Sequence, residues 1–286
     1  MIRKFCKKRA PLSQAPKTSL TPDSQLSILH SDCLLIRAFT HTDVGCVRQN
    51  NEDKAGFRFL EGSNTDFLAI LADGMGGYER GEDASAIMVD TLIGDNVPEM
   101  SKDPSHWLSD KVNKANSHIY GLSSQEQTVM GTTCSALLIW KKQIYFAHVG
   151  DSRIYLFAEG KLKQLTCDHT VVGEMMRSGG ITAAEAAVHP QRSILTQAIG
   201  TSPQVKPDIF NLMDPVRKGD RFLLCSDGLY DLVPDDEICR LLAQPSLRKA
   251  ALSLVETAKK HGGYDNITVV IVEINEKTNT EDNDES

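Results

Sequence analysis

The chain of 286 residues carries 41% hydrophobic and 24% charged side chains, the balance of a soluble globular protein with room for one large domain or two small ones. A net charge of −7 argues against general nucleic-acid binding, which needs clustered Lys and Arg, and no apolar run approaches the roughly 20 residues of a membrane helix. The seven cysteines are scattered, odd in number and without a Cys-x-x-Cys pair, which favours reduced thiols in a cytosol over a disulfide framework or a zinc site.

Residues 1–32 read as an extension. Arg3, Lys4, Lys7, Lys8, Arg9 and Lys17 stand there with no acid before Thr18, and no apolar segment follows to make a signal peptide. Pro11, Pro16 and Pro22 among Ser and Thr predict disorder. A solvated tail is the plain reading, and electrostatic contact with a membrane or an acidic partner is the sharper one.

A globular pattern runs from 33 to 275. Strands are predicted at Leu34–Phe39, Lys54–Phe59 and Asp66–Ala72, and helices at Gly81–Leu92 and Ser105–Leu122, where Leu108, Val112, Ala115 and Ile119 share a face. A block of strands follows: Thr132–Trp140, Gln143–Val149, Arg153–Phe157 and Lys161–Leu165. Lys141-Lys142 and Glu159-Gly160 are short turns between them, so the pairing is antiparallel. Thr170–Ala187 is weakly helical and contains Gly179-Gly180, which predicts a mobile insertion. Further strands are expected at Asp208–Leu212, Arg221–Cys225 and Asn266–Ile274, and helices at Asp235–Ala243 and Ser246–His261. Blocks of strands flanked by helices indicate an α+β fold, with helices covering antiparallel sheets. Residues 276–286 hold five acids and one lysine and read as an acidic, disordered tail.

The apolar run Ala69–Ala72 ends in Asp73-Gly74-Met75-Gly76-Gly77. The Asp73-Gly74 step is expected to turn the chain sharply at the end of a buried strand. A carboxylate there, with glycine carbonyls beside it, suits a hard cation such as magnesium or manganese. Taken singly it would be a solvated turn aspartate. The arrangement recurs, however, in Asn51-Glu52-Asp53, His148-Val149-Gly150-Asp151, Cys225-Ser226-Asp227-Gly228 and Gly263-Tyr264-Asp265-Asn266. Several carboxylates without a nearby Cys or His pair favour oxygen-loving cations over zinc.

In this order, the chain also shows Arg48-x-x-Asn51-Glu52-Asp53, Asp73-Gly74-Met75-Gly76-Gly77, Gly131-Thr132-Thr133, His148-Val149-Gly150-Asp151-Ser152-Arg153, Asp168-His169, Ser226-Asp227-Gly228-Leu229 and Asp265-Asn266. The ordered set resembles the type 2C metal-dependent protein serine/threonine phosphatases in their bacterial form, over about Cys33–Ile274, nearly the whole chain. The resemblance implies a central β-sandwich of two antiparallel sheets flanked by helices, four layers in all, with two manganese or magnesium ions at one end. By residue match, Asp73 would bridge both ions, Glu52 and the Gly74 carbonyl would complete one site, and Asp227 and Asp265 would hold the other. Asp53 would orient a metal-held water, and Arg48 would grip the substrate phosphate. A third ion would sit at Asp151 and Asp227, beside a mobile flap at about 170–193. Where many eukaryotic relatives have a histidine proposed as general acid, this chain has Met75, which cannot donate a proton; His148 and His169 read as structural.

The implied activity is hydrolysis of phosphoserine and phosphothreonine in protein substrates by direct attack of water, opposing a bacterial serine/threonine kinase from a cytoplasmic monomer. A catalytically weak binding module of the same fold is the alternative from another class. A stress-response phosphatase acting on anti-sigma antagonists would share the metal site and differ in substrate.

Overall fold

The computed structural model describes residues 34–60, 63, 65–76, 80–94, 103–213 and 216–276. The basic extension lies outside the described residues, as does the acidic tail beyond Glu276. Two antiparallel sheets face each other. One is ordered β1 (Leu34–Asp43), β11 (Ile267–Glu276), β10 (Arg221–Cys225), β7 (Arg153–Ala158) and β8 (Lys161–Gln164). The other is ordered β2 (Asp53–Phe59), β3 (Phe67–Gly76), β5 (Cys134–Trp140), β6 (Gln143–Val149) and β9 (Asp208–Asn211), with the short β4 (Met130–Thr132) on the last residues of β3. Helices α1 (Arg80–Ile93) and α2 (Pro104–Glu126) cover the second sheet. Helices α5 (Asp227–Tyr230), α6 (Asp235–Leu242) and α7 (Leu247–Lys260) cover the first. The insertion between β8 and β9 carries α3 (Val171–Ser178) and α4 (Ala183–Ala187).

Strand β3 shows how the sequence makes this sandwich. Phe67, Ala69 and Leu71 project into the core between the sheets, and Leu68, Ile70 and Ala72 project into the core under α1 and α2. A strand buried on both faces has no polar side to alternate with, hence the unbroken apolar run. Phe222 and Leu224 of β10, and Val270 and Val272 of β11, close the inter-sheet core from the opposite side. Each such large side chain contributes about 1.5–3 kcal/mol on burial.

Two features differ from the sequence reading. The run predicted as Thr132–Trp140 is two strands, broken at Thr133, and β3 does not turn at Asp73-Gly74 but continues to Gly76. Pairing with β4 (Gly74 opposite Thr132, Gly76 opposite Met130) extends it. The tight turns were placed correctly: Lys141-Lys142 (φ 47° and 67°) and Glu159-Gly160 (φ 52° and 71°) have both central residues left-handed, as the twist of a two-residue hairpin requires.

Candidate metal centre

The acids gather at one end of the sandwich because strand periodicity delivers them there. Asp73 has the parity of Phe67, Ala69 and Leu71, so its side chain continues the inter-sheet row. Asp53 on β2 pairs with Asp73 in the ladder and shares the parity of Ala55 and Phe57, which pack on the same core. The Asp73 backbone is fixed by its neighbours: its N–H donates to Thr133 Oγ1 at 2.9 Å, and its carbonyl accepts from Thr133 N at 2.9 Å and Thr132 Oγ1 at 3.0 Å.

Gly74 is glycine for want of space rather than for a turn. A Cβ there would lie 2.1 Å from Gly81 O and 2.5 Å from Glu52 O. This close approach lets Gly74 N donate to Glu52 O at 3.2 Å and keeps Glu52 beside Asp73. The Glu52 carboxylate rests on Gly81 in the first turn of α1 and accepts its amide, where a helix start favours negative charge.

The other acids come from the opposite sheet and its connections. Asp227 repeats the Asp-Gly sequence of β3 yet begins the helical turn α5 instead of extending a strand. Ser226 before it donates to Asp53 Oδ2 at 2.8 Å and accepts from Thr268 N at 3.0 Å, so one hydroxyl ties β2 to the first sheet. Asn266 donates to Val44 O at 3.1 Å and Asn50 O at 2.9 Å and accepts from Glu52 N at 2.8 Å, which holds the 44–52 stretch against the Asp265 turn. Asp151 stands in the β6–β7 turn, where Tyr230 Oη donates to its carbonyl at 3.1 Å. Ser152 next to it meets Thr133 Oγ1 at 2.7 Å, the same hydroxyl that holds Asp73. Thr133, Ser226 and Asn266 thus set the geometry; Ser226 and Asn266 adjoin the acids Asp227 and Asp265 in the quoted motifs, whereas Thr133 stands in Gly131-Thr132-Thr133, which carries no acid.

Burial and mutual repulsion dominate the electrostatics. Asp53 is pushed up to about 6 and Asp151 to about 7, chiefly by burial. Asp73 and Asp227 are raised well above the carboxylate range by burial and then by neighbouring acids: Asp53, Asp227 and Asp151 act on Asp73, and Asp151 and Asp265 act on Asp227. Glu52 is raised mainly by burial. The cations nearby are engaged: Arg153 holds Asp168 at 2.7 Å and stacks on Tyr230 at 3.5 Å, and the half-exposed Arg48 donates to Asp265 Oδ2 at 2.7 Å. Arg153 thus forms its ion pair with Asp168 rather than with Asp151.

Among the described residues, no three acidic, His or Cys side chains stand closed around a single point as ligands. Carboxylates that repel one another keep apart unless a cation or proton lies between them. The donor set nonetheless fits hard divalent cations, because it offers oxygen alone and several carboxylates that raise one another's pKa. His148 is neutral, its pKa lowered to about 4 by burial, and its Nδ1 meets Ser135 Oγ at 3.1 Å. His169 accepts from Gly150 N at 3.2 Å and meets Asp208 Oδ2 at 3.2 Å through its other nitrogen. An open cleft of about 440 Å³ lined by Arg37, Phe39, Pro245, Leu247 and Arg248 holds none of the acids.

Comparison with known proteins agrees with this geometry. Residues 46–261 match the family model of Protein phosphatase 2C. The chain is 38% identical over 242 residues to the serine/threonine phosphatase stp of Listeria welshimeri, covering 82% of this chain and 94% of that one. It superposes on the crystal structure of the Mycobacterium tuberculosis serine/threonine phosphatase PstP/Ppp with a TM-score of 0.76 at 37% identity, over 84% of this chain and 99% of the other. It also superposes on the catalytic domain of the serine/threonine protein phosphatase PstP in complex with two manganese ions, with a TM-score of 0.74 at 36% identity, over 85% and 99% of the two chains.

Proposed function

The chain belongs to the protein phosphatase 2C family, and on that premise we propose that the acids at the sandwich end serve the hydrolysis of phosphoserine and phosphothreonine in proteins. It is a metal-dependent serine/threonine phosphatase with manganese or magnesium as cofactor. The observation that carries the proposal is the gathering of Asp53, Asp73, Asp151 and Asp227 at one end of the sandwich, all four raised chiefly by burial, with Asp53, Asp227 and Asp151 raising Asp73 further.

Glu52, Asp73 and Gly74 would hold one cation, Asp73 with Asp227 and Asp265 a second, and Asp151 with Asp227 a third. Such cations supply a nucleophilic water at neutral pH and offset the charge that builds on the phosphoryl group. Asp53, held by Ser226 and hydrogen-bonded to Asp73, is placed to orient that water. Arg48 offers the phosphate a planar fork of N–H donors, of which only Nη2 is engaged by Asp265 among the described residues. The binding-module alternative has no support, because every acid the family pattern needs is present. In the cell we place the protein in the cytoplasm, reversing the work of a serine/threonine kinase; among the described residues no helix is long and apolar enough to cross a membrane. The direct test is turnover of p-nitrophenyl phosphate and phosphothreonine peptides with manganese, and its loss in a chelator. Equal turnover in both conditions would overturn the reading.

A further inference from the structure

Two short stretches of backbone are tied together beside Arg48. Cys46 N donates to Gly263 O at 2.7 Å, and Arg48 Nη2 donates to Asp265 Oδ2 at 2.7 Å. Residue 47 therefore lies between two fastened points, and residue 264 lies between the same two points on the facing stretch. The residues there are Val47 and Tyr264, exposed by 61% and 63%. The backbone under them is tightly set: a Cβ at Gly45 would come 2.2 Å from Asp265 O, and one at Gly262 would come 2.4 Å from Tyr264 Cζ. The tyrosine ring thus lies back on Gly262 while much of its surface faces solvent.

A single exposed apolar side chain needs no explanation. Two of them, on stretches fastened at both ends and adjoining the phosphate-gripping guanidinium, form a prepared surface. We propose that Val47 and Tyr264 are an apolar shelf that receives the side chain flanking the phosphorylated residue. The preferred substrates are then phosphopeptides with an aliphatic or aromatic residue one or two places from the phosphoserine or phosphothreonine. The reach agrees. Val47 precedes Arg48 by one peptide unit, about 3.8 Å between Cα atoms. An extended peptide whose phosphate is on Arg48 advances about 3.3 Å per residue. Its immediate neighbours are the residues that meet the shelf. The inference rests on the phosphatase reading above and adds a specificity to it.

The test uses the full chain with manganese and phosphothreonine peptides identical except at the flanking places, which carry Leu in one and Asn in the other. For the parent, kcat/KM should favour the Leu peptide by about five-fold or more, a modest apolar contact on an open surface. Tyr264→Ser and Val47→Ser should each reduce that ratio, and the double variant should bring it close to unity. Circular dichroism of the variants checks that they fold. p-Nitrophenyl phosphate, which has no flanking residue, is assayed alongside. A parent that hydrolyses p-nitrophenyl phosphate and both peptides without preference would overturn the shelf alone, as would a preference that survives the double variant. A parent inactive on every substrate would overturn the phosphatase reading and the shelf with it.

Discussion

Asp73 combines a fixed backbone with a carboxyl raised well above its ordinary range by burial and by Asp53, Asp227 and Asp151. Asp73→Asn keeps its size and its backbone bonds but removes the charge. Turnover should fall to a small fraction of the parent, while circular dichroism and melting in chelator stay at or above parental values because one repelling charge is gone. Substantial residual turnover would show that Asp73 is not the bridging acid. Arg48 makes the complementary case on the exposed rim. Among the described residues its side chain bonds to Asp265 alone, so Arg48→Ala would remove the proposed phosphate contact without opening the core. A charge-assisted contact of this kind contributes about 1.5–3 kcal/mol, so kcat/KM on a phosphothreonine peptide should fall by roughly 10- to 100-fold. Arg48→Lys should restore little of it, since an ammonium cannot present the planar fork. Parental kinetics in Arg48→Ala would place the residue outside the site.

At the scale of elements, the β6–β7 turn governs more than its length suggests. Gly150 has φ +103°, and a Cβ there would lie 2.6 Å from Thr133 Cγ2 and 2.8 Å from Thr133 Cβ. Thr133 carries the amide of Asp73, so pressure on the turn reaches Asp73. Gly150 is also clamped by His169, whose amide donates to the Gly150 carbonyl at 2.7 Å and whose ring accepts the Gly150 amide at 3.2 Å. His169 O in turn accepts from Thr196 N at 2.8 Å, joining both stems of the insertion between β8 and β9 to the Asp151 turn. Gly150→Ala should cost about 1–3 kcal/mol from backbone strain alone and lower turnover with it. Gly160→Ala, at φ +71° with nothing within 4 Å, should cost stability and leave turnover unchanged. Thermal melts and kcat of the two variants decide the matter; equal turnover loss in both would deny the Gly150–Thr133 link. This scale also marks the limit of what the sequence could tell. The layers, most strands and both hairpins were legible, because burial periodicity and left-handed turn residues are local. The two Asp-Gly steps were not, since their fate depends on distant partners: β4 extends the chain past Asp73, while Asp227 enters α5. The acids themselves could be named from the ordered motifs. Their neighbours Thr133, Ser226 and Asn266 acquired roles only when the two sheets were brought together.

The whole molecule stores this cluster of acids between its two sheets, and the stored repulsion sets how its stability responds to pH. In the unfolded chain an aspartate titrates near 3.8, whereas in the folded chain Asp53 titrates at about 6, Asp151 at about 7, and Asp73 and Asp227 well above the ordinary value. Between these limits the folded chain binds more protons than the unfolded one, so without metal its stability falls as pH rises. One buried group works in the opposite sense. His148, lowered from 6.5 to about 4, makes the unfolded chain the greater proton binder in that interval, so its contribution raises stability with pH up to 6.5 and ends there. Above pH 6.5 the raised acids set the slope, and the buried thiols Cys134 and Cys225, raised from 9.0 by burial, add to it in the same sense toward pH 9. The melting temperature in chelator should therefore decline from pH 6.5 to about pH 8.5. Manganese should flatten or reverse that decline, because a cation between the carboxylates replaces the protons they would otherwise retain and binds only the folded chain. Asp73→Asn should show a shallower decline in chelator and a smaller gain from manganese. A metal-free melting temperature that stays level or climbs across this window would mean that the acids are not mutually confined as the fold places them.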